Sequence, residues 1–183
     1  MKIFVETERL ILREMHATDD IGMFELDSNP EVHKYLGNKP IDTMEQSKAT
    51  IENVRKQYLE NGIGRWSVVE KSSGDFIGWS GLKLMTTVIN NRTNFYDVGY
   101  RLIPRFWGKG YATESAKASI EYGFTKMNVN EIIGIANIEN IKSRRALEKS
   151  GLSFKEQFIF PFWNTTCDWL SITKEEWMKE GKK

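Results

Sequence analysis

Cysteine occurs once in the 183 residues, at Cys167, so no internal disulfide can form and the chain suits a reducing cytosol. Histidine occurs twice, at His16 and His33, far apart and with no cysteine beside either, which argues against a metal site. No apolar run reaches membrane-spanning length, and Met1-Lys2-Ile3-Phe4-Val5-Glu6 turns acidic too soon for a signal peptide. An excess of one charge is missing too. The 26 Lys+Arg against 25 Asp+Glu leave +1, so no global field draws in nucleic acid or an anionic membrane. Linkers, repeats and low-complexity segments are also absent. We therefore expect one cytoplasmic, globular domain over 1–183, long enough to bury a sizeable core.

What is present organises around Asp97 to Tyr122. Asp97-Val98-Gly99-Tyr100-Arg101-Leu102-Ile103 reads as a strand, which Pro104 closes by removing a donor. Arg105-Phe106-Trp107-Gly108-Lys109-Gly110 continues neither strand nor helix, because two glycines two apart favour backbone geometries closed to other residues. From Tyr111, with Ala112, Glu114, Ala116, Ala118 and Glu121, the composition is helical. A helix start has unpartnered N–H groups and the positive end of the macrodipole, so this turn can hold an anion. Arg105 and Lys109 add full charges. A tight turn whose glycines serve geometry alone is the plain alternative. A dinucleotide fingerprint is excluded because Thr113 stands where its third glycine belongs, and a P-loop because Ile103 stands five before Gly108.

The rest of the chain supplies the frame. Arg9–Arg13 is a first strand, Thr18 opens a helix through Leu26, and Pro30 starts a short one through Leu36. Thr43-Met44-Glu45-Gln46 has capping-box spacing and opens a long helix ending near Gly62. Arg65–Lys71 and Phe76–Leu82 flank Ser72-Ser73-Gly74-Asp75 as a hairpin, and Asn90-Asn91-Arg92 turns the chain into the strand that ends at Ile103. Glu131–Asn137 is a strand parallel to Asp97–Ile103, because a helix crossover joins them. Asn140 to Gly151 is a capped helix, and Phe154–Phe160 and Thr166–Thr173 are two last strands before a terminal helical turn at Lys174–Lys179.

Arg105-x-x-Gly108-x-Gly110 resembles the pyrophosphate loop of the GCN5-related N-acetyltransferases. The longer run from Gly99-Tyr100 through Pro104 and Trp107-Gly108-Lys109-Gly110-Tyr111-Ala112-Thr113-Glu114 is similar to the branch holding the ribosomal-protein N-terminal acetyltransferases. The likeness extends over nearly the whole chain, including Glu6–Leu10 and Glu176-Trp177. It implies a mixed α/β fold: a mostly antiparallel sheet of about seven strands with one parallel pair, near 97–103 and 131–137, flanked by helices. It also implies acetyl-coenzyme A as co-substrate, direct transfer to an amine and no metal. Expected coenzyme contacts are Leu102, Ile103, Arg105, Gly108, Lys109, Gly110, Tyr111, Ala112, Thr113, Asn140 and Ser143.

In the same likeness Asn140 hydrogen-bonds the pantetheine arm and Ser143 sits near the thioester sulfur. As a bare pattern Asn140-x-x-Ser143 is a helix N-cap, and both roles can coexist. Many relatives place a tyrosine where Leu147 stands. Leucine has no proton to give, so either Ser143 protonates the leaving thiolate or coenzyme A leaves as an anion. Asp97, seven before Pro104, stands where relatives often carry a catalytic glutamate, and is the expected base, directly or through water. A strand-end ion pair with a neighbour such as Arg92 is the alternative.

Glu114 reads as a structural acid in a first helical turn, Cys167 as inert packing, and Arg144 and Arg145 as a solvated helix face or contacts to the 3′-phosphate. Tyr100 and Trp79 point to the sheet core or to the acceptor cleft. The aromatic run Phe158–Trp163 is either core or a homodimer surface. The acceptor amine is left open among a protein N-terminus, a small amine such as an aminoglycoside or polyamine, and a lysine side chain. Two other classes compete: a non-catalytic acyl-coenzyme A sensor and a protein-interaction module.

Overall fold

A computed structural model describes residues 2–180; residues 1 and 181–183 of the expected domain lie outside that range. Eight strands form one sheet: β1 (Ile3–Glu6), β2 (Leu10–Arg13), β3 (Trp66–Glu70), β4 (Phe76–Met85), β5 (Phe95–Leu102), β6 (Glu131–Asn137), β7 (Ser153–Phe160) and β8 (Thr165–Thr173). Their spatial order is β1-β2-β3-β4-β5-β6-β8-β7. Every neighbouring pair is antiparallel except β5–β6, the parallel pair expected from the crossover. β1 adds an eighth strand to the seven read from the pattern. Its four residues are too few to show alternation, and pairing with β2 is what makes them a strand.

The helices are α1 (Asp20–Asp27), α2 (Pro30–His33), α3 (Met44–Asn61), α4 (Tyr111–Thr125), α5 (Ile141–Lys149) and α6 (Lys174–Glu180). α2 starts at Pro30, with Asn29 accepting a hydrogen bond from the Glu31 N–H. Thr43 and Gln46 cap α3 reciprocally, and Gly62 ends it in the left-handed region.

Alternation along β5 sorts the two faces of the sheet. Val98 lies opposite Leu82, and Leu82 and Ile132 pack so close to Gly123 of α4 that a Cβ there would meet them at 2.7 and 2.9 Å. Gly134 of β6 leaves the same room for Leu147 of α5. α4 and α5 therefore cover one face. Asp97 and Arg101 point to the other, where Asp27 of α1 binds Arg101. The core continues to the β1 edge, where Phe4 stacks on Trp66 at 4.7 Å and Tyr122 of α4 meets Trp66 edge-on.

Two features of this frame position a site. β5 and β6 pair only at Tyr96–Ile132 and Asp97–Ile133, after which they diverge and leave a crevice. The chain leaving β5 then makes a short 3-10 turn, Pro104–Phe106, and delivers the N-terminus of α4 to the mouth of that crevice. Ligands of open α/β sheets collect at such places, beyond the carboxyl ends of parallel strands.

Candidate active site

Gly108 (φ +76°) and Gly110 (φ +84°) both adopt left-handed backbone, which explains why glycine stands at these two positions. The space around the missing Gly108 Cβ is empty to 4 Å. Gly110 caps α4 with no side chain, and the first bond within the helix runs from the Glu114 N–H to the Gly110 carbonyl. The N–H groups of Tyr111, Ala112 and Thr113 thus come before the helix ladder begins, facing outward with the positive end of the helix dipole.

The loop is held from below. Tyr111 is buried and its hydroxyl donates to Glu70 of β3, which holds that carboxyl below the usual range. Arg9, just before β2, ties the loop to that edge of the sheet: its Nε donates to Glu114 (2.7 Å), its Nη1 to the Lys109 carbonyl (2.9 Å), and its guanidinium lies 4.5 Å over the Tyr111 ring. Thr7 donates to the same Glu114 carboxylate at 2.6 Å. Burial pushes the Glu114 pKa up, but the Thr7 and Arg9 hydrogen bonds together outweigh it and hold it low. Glu114 is therefore the structural acid expected. The Trp107 indole donates to the Leu102 carbonyl at 2.6 Å and ties the loop to the end of β5.

The two predicted loop cations differ in what they do. Arg105 pairs with Glu25 of α1, both about half exposed. Lys109 lies 5.0 Å from the Phe106 ring and keeps its charge near the loop. Leu102 and Ile103 are buried, and the Ile103 N–H bonds the Ile77 carbonyl. A surface cavity of about 470 Å³ opens beside Gly110 and Thr113, with Lys117 and Lys149 on its wall. Those two lysines were invisible as a pair in the sequence, since they sit on different helices.

Across the crevice, the Asn140 side chain accepts from the Ser143 N–H (3.2 Å), so the expected N-cap is present. Tyr100 reaches the same helix from β5: its hydroxyl donates to the Ser143 carbonyl at 2.7 Å and lies 3.3 Å from Ser143 Oγ. Burial raises the Tyr100 pKa, so this hydroxyl stays protonated. Leu147 is buried against Gly134. Arg144 binds Asp168 (2.9 Å) and Glu148 (3.0 Å), which occupies the side chain that the sequence had offered to a phosphate.

On the α1 face lies a floor of charge. Asp97 is buried and bound by Arg65, whose Nη1 also donates to the Asp97 carbonyl at 2.7 Å. Arg65 is the partner, and Arg92, offered as the alternative neighbour, binds Glu131 at 2.6 Å instead. Gly99 makes this possible, because a Cβ there would meet the Arg65 guanidinium at 2.7 Å. Burial raises the Asp97 pKa, with the Arg65 and Lys83 charges opposing it. Lys83 stands opposite Asp97 in the β4–β5 register. Trp79 packs between Arg65 and Arg101, 5.3 and 5.1 Å from their guanidinium carbons, which puts its ring on this charged face, half-buried against the core. Beyond it Asp27 binds Arg101 at 2.6 Å, with the His33 ring 3.7 Å away.

Cys167 is buried and burial raises its pKa, in keeping with packing. In the aromatic run, Phe158 and Phe160 are core, whereas Ile159 and Phe162 are more than half exposed. Among the described residues no cluster of metal-binding side chains occurs, and no helix is long and apolar enough to cross a membrane.

A diverging parallel pair with a glycine-bearing helix start at its mouth is the arrangement that the resemblance to the N-acetyltransferases implies. The chain belongs to the acetyltransferase (GNAT) domain family, whose model matches residues 9–153. It is 33% identical to the uncharacterized N-acetyltransferase p20 of Bacillus licheniformis, over 82% of both chains. It is 32% identical to the FsC-acetyl coenzyme A-N(2)-transacetylase of Aspergillus fumigatus, over 86% of this chain and 70% of that one. The crystal structure of a GNAT-family acetyltransferase from Bacillus anthracis superposes with a TM-score of 0.79 at 25% identity, covering 96% of this chain and 99% of the other. This chain is accordingly an N-acetyltransferase that takes its acetyl group from acetyl-coenzyme A.

Proposed function

We propose that residues 1–183 work as one acetyltransferase domain in the cytoplasm, moving an acetyl group to an amine by direct attack. Acetyl-coenzyme A supplies the activated acyl group as a thioester. The observation that carries the residue-level reading is the pair of left-handed glycines at the start of α4 with unspent N–H groups at Tyr111, Ala112 and Thr113. A diphosphate fits there because nothing blocks main-chain approach at Gly108. Gly108, Lys109, Gly110, Tyr111, Ala112 and Thr113 hold it, with Leu102, Ile103 and Arg105 at the edge. The Lys117 and Lys149 cavity is placed to take the 3′-phosphate end.

Asn140 and Ser143 line the far side of the crevice, where the pantetheine arm runs. Asp97 takes the proton of the attacking amine, its raised pKa bringing it closer to neutral operation, and Arg65 fixes its orientation. Main-chain N–H groups that β5 leaves without a β6 partner beyond Asp97 face the carbonyl oxygen as charge builds. The Ser143 hydroxyl, kept in place by Tyr100, donates a hydrogen bond to the departing thiolate.

Thiol release with a panel of amines tests this. Native protein should turn over, while Asp97→Asn should be slowed with coenzyme affinity intact and Ser143→Ala should be slowed as well. Tight coenzyme binding with no thiol released by any amine would favour a sensor instead.

A further inference from the structure

The acceptor cleft has a charge balance that narrows the amine. Its floor holds three cations, Arg65, Lys83 and Arg101, and two carboxylates, Asp97 and Asp27. Each carboxylate is already bound by an arginine. His33 is buried and held neutral, first by that burial and then by the Arg101 charge. Lys83 has no ion-pair partner within 4.0 Å among the described residues, although it is partly buried. Burial and the Arg65 charge lower its pKa, and only Asp97 opposes them. The cleft therefore carries a net positive charge with one cation to spare. A polyamine would bring further positive charge to carboxylates that have none free.

Lys83 and Asp97 are cross-strand partners on one face. Such residues have Cβ atoms ~5 Å apart. An α-amino acid carries its ammonium and carboxylate at adjacent carbons, a separation this pair can bracket.

The cleft is also narrowed from above. Gly37, in the loop after α2, lies against Trp163 of the β7–β8 turn, where a Cβ would meet the indole at 2.7 Å. α2 sits over β5 through His33 and Asp27, whereas the β7–β8 turn lies past the end of β6, since Asn137 pairs with Cys167. The contact thus joins the two banks of the crevice on the acceptor side. That leaves room for a small acceptor more readily than for a protein surface.

We propose that the acceptor is a small amine bearing a carboxylate, an amino-acid-type substrate, with Lys83 binding the carboxylate while Asp97 receives the amine. This rests on the acetyl-transfer reading above. Attack by the amine nitrogen forms the C–N bond and breaks the C–S bond. The amine proton goes to Asp97 and coenzyme A leaves as a thiolate that accepts a hydrogen bond from the Ser143 hydroxyl, so the substrate carboxylate is unchanged and only fixes position.

Matched pairs test it: leucine against 3-methylbutylamine and phenylalanine against 2-phenylethylamine, with spermidine and a tripeptide bearing a free N-terminus alongside. At least one amino acid should exceed its decarboxylated partner by tenfold or more in kcat/KM, as well as spermidine and the tripeptide. In Lys83→Gln that ratio should collapse through KM, and Lys83→Arg should restore it. Equal rates within both pairs, a preference for spermidine or the tripeptide, or a ratio untouched by Lys83→Gln would overturn the proposal. The wild-type panel decides even where a variant fails to fold. Turnover confined to the other amines would sink this inference and leave acetyl transfer standing. Release of thiol by none of them would sink both.

Discussion

Replacing Gly108 by alanine separates the cost of a backbone shape from the loss of a ligand contact. At φ +76° an alanine Cβ meets its own carbonyl, which costs ~1–2 kcal/mol. The surroundings add nothing, because no heavy atom lies within 4 Å of the new methyl. For a chain of this size that is a melting shift of about 2–8 °C. Gly62, at the end of α3, has φ +69° and equally empty surroundings, so Gly62→Ala should lose a similar amount. The two variants must differ in coenzyme binding. If main-chain amides at Gly108 to Thr113 grip the diphosphate, a methyl in the approach path costs at least one charge-assisted hydrogen bond, ~1.5–3 kcal/mol. Titration calorimetry should then show acetyl-coenzyme A bound roughly ten- to a hundredfold more weakly by Gly108→Ala, and unchanged by Gly62→Ala. Equal affinity for the two would refute the reasoning, whatever their melting temperatures.

Asp97→Asn should lower kcat ~100-fold or more while leaving coenzyme affinity unchanged, measured by thiol release and calorimetry. In the native enzyme kcat/KM should rise with pH through a pKa above the ordinary carboxylate range, and the variant should lose that limb. Arg65→Met strands a buried carboxylate, so urea unfolding should show a loss of ~3 kcal/mol or more; adding Asp97→Asn should recover most of it. His33 has its folded pKa below the ordinary 6.5, because burial and Arg101 disfavour its charge. The unfolded chain therefore binds a proton that the fold refuses. Stability should be full above pH 6.5 and decline as pH falls toward the folded pKa, and His33→Gln should flatten that decline in a melting series.

Much of this was legible locally. The capping box at Thr43, the proline at Pro30, the strand Glu131–Asn137 and the Asn140 cap each rest on a few neighbouring residues, and each stands in the structure. The glycine loop was legible for the same reason: left-handed backbone leaves its mark on residue type. Partners distant along the chain were not. Arg65 binds Asp97 because β3 leads into β4 and β4 lies on β5, and the vacancy at Gly99 admits the guanidinium; none of this shows in a local window. Arg92 is closer in sequence but turns toward Glu131 at the start of β6. The ties of Arg9 to Glu114 and of Asp27 to Arg101 likewise depend on which elements meet. β1 gains its identity only from the β2 edge it completes.

A crystal structure of the complex with acetyl-coenzyme A tests the central claim most directly. The account predicts the diphosphate within hydrogen-bond distance of main-chain N–H groups between Gly108 and Thr113, and the acetyl carbon in the β5–β6 crevice on the side of Asp97. A diphosphate bound away from the start of α4, or a thioester outside that crevice, would contradict it.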